Sequence, residues 1–127
     1  MVLENARALL VGVGTYADPL LSAPVMAQDA SDLAETLKSN SVGYPAGNVI
    51  TLTNERASRG AILQALDDLR KTTNEESTVL VLLCGQGIPQ PDGSYHFLPH
   101  DTAVGGARRM VSRLVQGRLA RAGRVRP

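Results

Sequence analysis

Aromatic residues are scarce in this chain: they make up 3% of its 127 residues, with three Tyr, one Phe and no Trp. A core built from such a sequence must be aliphatic. The single cysteine, Cys84, excludes an intramolecular disulfide and a cysteine-rich zinc site. No apolar run approaches the roughly 18 residues of a membrane span. The first such run, Ala8–Val13, is too short for the apolar part of a signal peptide. A cytoplasmic location without membrane contact is the default expectation. Acidic residues are missing after Asp101, and lysine is missing after Lys71. What remains suits one packed domain, with 43% hydrophobic and 20% charged residues.

The net charge of +1 hides an asymmetry. Residues 1–101 carry all 12 acids against six bases, and residues 102–127 carry seven Arg and no acid. Two regions of different physical chemistry therefore meet near Asp101: a domain over 1–102 and an Arg-rich tail over 103–127. In the tail, Ala107, Met110, Val111, Leu114 and Val115 recur at helical spacing among Arg108, Arg109, Arg113, Arg118 and Arg121. Such a basic amphipathic helix is suited to nucleic acid, an acidic membrane surface or an acidic partner. It equally suits a helix docked on the domain with its arginines in water. An all-Arg tail also fits an out-of-frame reading of a high-GC gene end. Neither nucleic acid nor membrane is the partner expected.

Along the domain, Ala8-Leu9-Leu10-Val11-Gly12-Val13 reads as a strand buried on both faces, the mark of a parallel sheet. Met26, Ala30, Leu33 and Leu37 form one face of a helix whose first turn accommodates Pro24. Asp29 and Asp32 are expected near the positive end of its dipole. Val49–Thr53 is a second strand. Ser58 is placed to cap a second helix, whose inner face is Ile62, Ala65, Leu66 and Leu69. Thr78–Cys84 is a third, strongly apolar strand, and the turn Pro91-Asp92-Gly93-Ser94 predicts a hairpin. Strand, helix, strand, helix, strand gives a parallel sheet with right-handed crossovers. Functional groups in such sheets gather at the carboxyl ends of the strands, here Gly12–Tyr16, Thr53–Arg56 and Cys84–Ile88.

Four groups of residues invite a chemical reading. Gly12-Val13-Gly14-Thr15-Tyr16-Ala17 fits a dinucleotide fingerprint, with Asp32 twenty residues after Gly12. That chemistry needs a helix to begin at once, and Asp18-Pro19 and Pro24 favour a strand-exit turn instead. His96 and His100 are four apart, but Pro99 makes the segment extended, which separates them by about 13 Å at roughly 3.3 Å per residue. Two partly exposed histidines are expected, not a metal site. Cys84 follows five apolar residues, so burial is expected rather than reactivity. Gly85-Gln86-Gly87 sets a polar side chain between two glycines at the end of what reads as a central strand. Either Gln86 points into a cleft or it is solvated at a turn. Nothing in these groups calls for a cofactor or a metal.

Several segments, in order, resemble a known family: Ala8-Leu-Leu-Val-Gly-Val-Gly-Thr-Tyr16, Gln28-Asp-Ala30, Gly43-Tyr-Pro-Ala-Gly-Asn-Val49, Thr51-Leu-Thr53, Ala61-Ile-Leu-Gln-Ala-Leu66, Thr78-Val-Leu-Val-Leu-Leu-Cys-Gly-Gln-Gly87 and Tyr95-His-Phe-Leu-Pro-His-Asp101. Together they resemble the large-subunit half of bacterial caspase-like and metacaspase-like cysteine peptidases, over about residues 7–102. The resemblance implies an α/β caspase–hemoglobinase-like fold, a parallel sheet flanked by helices, incomplete at about half of the full domain. It also implies a Ser/Ala-Gly-His-Gly motif after the third strand, whose His works with a Cys from the next strand on a peptide or protein substrate. The amide of the Gly after that His helps hold the oxyanion.

The chain departs from that pattern twice. Gln86 stands at the His position, and a neutral amide has no nitrogen that titrates near pH 7. With the usual spacing of about 50 residues, the nucleophile is expected at about position 136, beyond Pro127. Cys84 lies two residues before Gln86 and cannot take that part. Gly87 keeps the oxyanion-hole amide. Asp29 matches an acidic position that in metacaspases binds a basic side chain of the substrate. The expectation is a caspase-like cysteine endopeptidase domain without activity in this chain. The alternative is a regulatory or scaffold module, pairing with a caspase-like partner or with itself.

Overall fold

A computed structural model describes residues 2–102, and the tail from 103 onward lies outside the described residues. Among the described residues five strands and two α-helices are formed. They are β1 (Ala6–Gly12), α1 (Val25–Lys38), β2 (Val49–Thr53), α2 (Arg59–Thr72), β3 (Thr78–Cys84), β4 (Gly87–Pro89) and β5 (Tyr95–Phe97). The first three strands form a parallel sheet in the order β2-β1-β3. β4 and β5 form a separate antiparallel hairpin. The α/β class and the parallel sheet flanked by helices follow the sequence pattern. No helix among the described residues is long and apolar enough to cross a membrane.

The alternation of β1 builds two cores, one on each face. Ala8 and Leu10 pack with Ala30, Ala34 and Leu37 of α1 and with Val49. Leu9, Val11 and Val13 pack with Ile62 and Leu66 of α2, and with Tyr16, Phe97 and Leu98. Each fully buried Leu or Val contributes about 1.5–3 kcal/mol relative to exposure. Gly12 allows α1 to close on the sheet: a Cβ there would lie 2.7 Å from the Ala30 Cβ and from the Met26 carbonyl oxygen.

The helix ends follow their sequence signals with one exception. Ser58 caps α2 by accepting from the Ala61 N–H at 3.2 Å. Pro24 opens α1, but no acidic residue lies in its first turn. Asp29 and Asp32 therefore stand beyond the reach of the dipole, which fades within one turn. The expected dipole role of Asp29 does not hold.

β3 also differs from expectation. Its sequence is apolar on both faces, as an interior strand requires, yet β1 is the central strand. Among the described residues β3 pairs with β1 alone and forms an edge. This leaves β3 half-buried or exposed throughout, with Val79 43% exposed.

Candidate functional site

The three parallel strands end level, because Gly12 is in register with both Thr53 and Cys84. Four segments meet above that line: the β1 exit, the β2 exit, Gly85–Gly87, and Phe97–Thr102 after the hairpin. Hydrogen bonds tie the β1 exit and Phe97–Thr102 to each other and to both of the other segments.

Asn54 begins the β2 exit in the left-handed region, with φ of 51°. Asn tolerates that conformation better than most residues. Its Oδ1 accepts from the Gly14 and Thr15 N–H groups, each at 3.0 Å. The final segment straps the two exits together. The His100 N–H donates to the Ala57 carbonyl at 2.9 Å, and the Ala17 N–H donates to the His100 carbonyl at 3.0 Å. The His100 ring is 2.6 Å from the Thr15 carbonyl oxygen, which only accepts, so Nδ1 carries the proton. The Asp101 carboxylate accepts from the Arg59 N–H at 2.9 Å, at the start of α2.

Tyr16 ties this frame to the β3 exit. Its hydroxyl accepts from the Gln86 N–H at 2.8 Å and donates to the Leu98 carbonyl at 2.9 Å. The Leu98 N–H donates directly to the Gln86 carbonyl at 2.9 Å. The hydroxyl thus stands between two groups that an antiparallel ladder would join without it. Burial raises the Tyr16 phenol above the usual value of about 10; the Gln86 N–H pulls the other way, and Tyr95 adds a smaller upward push.

The glycines beside Gln86 are set by aromatic rings. A Cβ on Gly85 would lie 2.9 Å from the Tyr16 Oη and 3.0 Å from the Phe97 ring. A Cβ on Gly87 would run into the Tyr95 ring, which is 54% exposed and has room to swing away. The Gln86 side chain is half-buried rather than free in solvent, and its Nε2 donates to the Leu21 carbonyl at 3.2 Å. It latches the loop between β1 and α1 against the end of β3. Gly87 faces Phe97 between the hydrogen-bonded pairs Gln86/Leu98 and Ile88/His96. Its N–H therefore points away from β5 and has no ladder partner there.

The structure brings Gln86 and Gly87 to the carboxyl end of β3, which among the described residues is an edge strand rather than the central strand expected. Asp29, exposed on α1, stands close enough to Cys84 for its charge to act on the thiol. Cys84 is half-buried, a milder burial than expected, because nothing described covers the outer edge of β3. Burial first, and then the negative charge of Asp29, push its thiol above the usual range. That is the opposite of what activates a nucleophilic cysteine.

The histidines divide. His100 is half-exposed at the strap, whereas His96 is 3% exposed with its Nδ1 unpartnered among the described residues. Tyr95 faces outward, and the alternation of β5 turns His96 the other way. The described residues hold no group of three His, Cys, Asp or Glu side chains suited to a metal ion. Between β1 and α1 the chain runs from Val13 to Pro24 as a loop with one 3₁₀ turn, Pro19–Leu21, which leaves the glycine fingerprint without a helix to meet a pyrophosphate. Two surface depressions lie away from this end, one lined by Leu3, Asn5 and Thr78 and the other by Arg7, Ile50 and Leu69.

Tyr16, Asn54 and His100 hold the site together, and sequence reasoning singled out none of them as such. An Asn directly after a strand was the one local signal. The hydrogen bonds of the Tyr16 hydroxyl and the His100 ring span more than 65 residues and leave no periodic trace. No family model matches the chain, and no curated protein or solved structure matches it.

Proposed function

We propose that residues 1–102 are the large-subunit half of a caspase-like cysteine peptidase domain in which peptide cleavage has been lost. The ordered motifs between Ala8 and Asp101 carry the family reading. The strand order β2-β1-β3 and the position of Gly85-Gln86-Gly87 at a strand's carboxyl end agree with it.

One observation carries the loss of activity. At the position of the family's imidazole, the Gln86 amide donates to a backbone carbonyl of the neighbouring loop. It holds structure and has no proton to exchange near neutral pH. General acid–base help contributes about 10²–10⁴-fold to a rate. Cys84 is not that nucleophile, because it lies on β3 itself, two residues before Gln86, with its thiol pushed up in pKa. The turn of the Gly87 N–H away from β5 supports its reading as an oxyanion donor, and Asp29 is read by resemblance as the acid that binds a basic substrate side chain.

The test is an assay of the purified chain against peptides with Arg, Lys or Asp before the scissile bond. No turnover above buffer is expected. Turnover that disappears in Cys84→Ala would overturn the proposal.

A further inference from the structure

The α2 side of β3 carries an inference that does not rest on the peptidase reading. A parallel sheet is covered by helices on both faces. α1 packs on all three parallel strands, whereas α2 packs on β1 and β2. The α2 flank with Ala65, Asp68 and Thr72 is turned toward Ile50 of β2, because all four line one hollow. Its opposite flank, with Leu63, faces β3. There Val79 is exposed, and Val81 and Leu83 are half-buried. The alternation of β3 puts these three on the α2 side and Leu80 and Leu82 on the α1 side. From Val79 to Leu83 they form an apolar strip about 13 Å long, at roughly 3.3 Å per residue.

The described residues end on the same side of the sheet. Thr102 is buried, and its N–H and its hydroxyl both donate to the Pro99 carbonyl. Next to it, Asp101 accepts from the N–H of Arg59, the first residue of α2. The tail from 103 onward therefore starts from a fixed point at the carboxyl end of the sheet. Ala103-Val-Gly-Gly106 is a link of at most about 14 Å, and neighbouring packed helices lie about 8–10 Å apart. Ala107, Met110, Val111, Leu114 and Val115 follow at helical spacing, and Gly117 closes the run. As a helix, residues 107–116 rise about 15 Å, which matches the strip. Arg118 and Arg121 come next. A segment that starts beside Arg59 and runs down β3 arrives there at the loop between α2 and β3. That loop holds Glu75 and Glu76, exposed and in no ion pair among the described residues.

We infer that residues 107–116 pack as a helix beside α2 on Val79, Val81 and Leu83, and that Arg118 and Arg121 meet Glu75 and Glu76. The occupant of the strip is this chain's own tail. Its starting point, its apolar length and its charge agree with that place. A four-residue link also holds it at an effective concentration in the mM range, which a second copy does not reach in dilute solution. The basic tail thereby meets a domain that carries 12 acids against six bases. β3 becomes a strand covered on both faces, as its apolar sequence requires.

The test uses the whole chain with Cys84→Ser, so that one introduced cysteine carries a nitroxide. The label is placed at Arg109→Cys or at Gln116→Cys, both opposite the apolar stripe on a helix. Broadening of amide signals is the readout. It is expected to be strongest at Leu83 and Gly85 for the first label and at Glu76 and Val79 for the second. Asp32 and Glu35, on the outer face of α1 across the sheet, are expected to be spared. Leu114→Asp puts a charge into the contact and is expected to cut the broadening at β3 at least about tenfold. The signals of β1 and α1 check that each variant folds. Nitroxide-bearing chain mixed with isotope-labelled chain that lacks the nitroxide is expected to show no broadening, since the contact lies within one chain. No broadening of β3 from either label, the reverse order of the two labels, broadening unchanged by Leu114→Asp, or broadening between chains in the mixture would each overturn the inference.

Discussion

Tyr16→Phe removes one oxygen atom and changes no packing. That oxygen serves two backbone groups, the Gln86 N–H at 2.8 Å and the Leu98 carbonyl at 2.9 Å. Leu98 is buried, so water does not replace the lost donor there. An unsatisfied buried group costs about 1–3 kcal/mol, and the half-exposed Gln86 N–H adds about 0.5–1.5 kcal/mol. The expected loss is about 2–4 kcal/mol, read from urea unfolding, with a fall in Tm of about 10 °C or more. The variant also changes the alkaline limb of stability. Burial holds the folded phenol above its unfolded value, so the folded state keeps a proton that the unfolded state releases above about pH 10. That contribution is complete below pH 10 and is lost as the pH rises through the folded value. Tyr16→Phe is expected to flatten this part of the pH–stability curve. The reasoning fails if Tyr16→Phe unfolds within about 0.5 kcal/mol of the parent. That result would mean that Gln86 and Leu98 close on each other directly once the hydroxyl is gone.

Three further outcomes are expected. Gly85→Ala forces a Cβ against Tyr16 and Phe97, both buried, and is expected to cost about 1–3 kcal/mol by urea unfolding. Gly87→Ala meets only the exposed Tyr95 ring and is expected to cost less than about 1 kcal/mol; equal losses at the two positions would refute the aromatic account of this motif. Cys84 is expected to alkylate slowly with iodoacetamide at pH 7, and Asp29→Asn is expected to speed the reaction by removing the charge that raises the thiol; an unchanged rate would show that Asp29 does not reach it. Asn54→Ala loses the acceptor for two N–H groups and strains a positive φ, so a loss of about 1–3 kcal/mol is expected by thermal melting. Asn54→Asp keeps the acceptor and is expected to retain most of the stability; a variant as damaging as Asn54→Ala would point away from these bonds.

Local pattern was enough for the elements. The apolar run at Ala8–Val13, the helical spacing of Met26, Ala30, Leu33 and Leu37, the cap at Ser58 and the turn at Pro91–Ser94 each correspond to a formed element. These signals are short-range, since periodicity and capping involve residues within a turn or a strand of one another. The position of β3 was not legible, because an apolar strand reads the same whether or not a neighbour covers its outer edge. Burial of His96 was missed for a related reason: exposure depends on which way a three-residue strand turns, and a segment ending in Leu-Pro-His gives no alternation to read.

The amino-acid order alone determined that this chain forms alternating strands and helices with an aliphatic core, and that an amide stands where the resemblance expects an imidazole. Only the tertiary structure decided that Gln86 spends that amide on the Leu21 carbonyl, that Tyr16 bridges Gln86 to Leu98, and that β1 stands between β2 and β3. Side-chain chemistry is written residue by residue, whereas partners distant in sequence are chosen by how the sheet and its loops close in space.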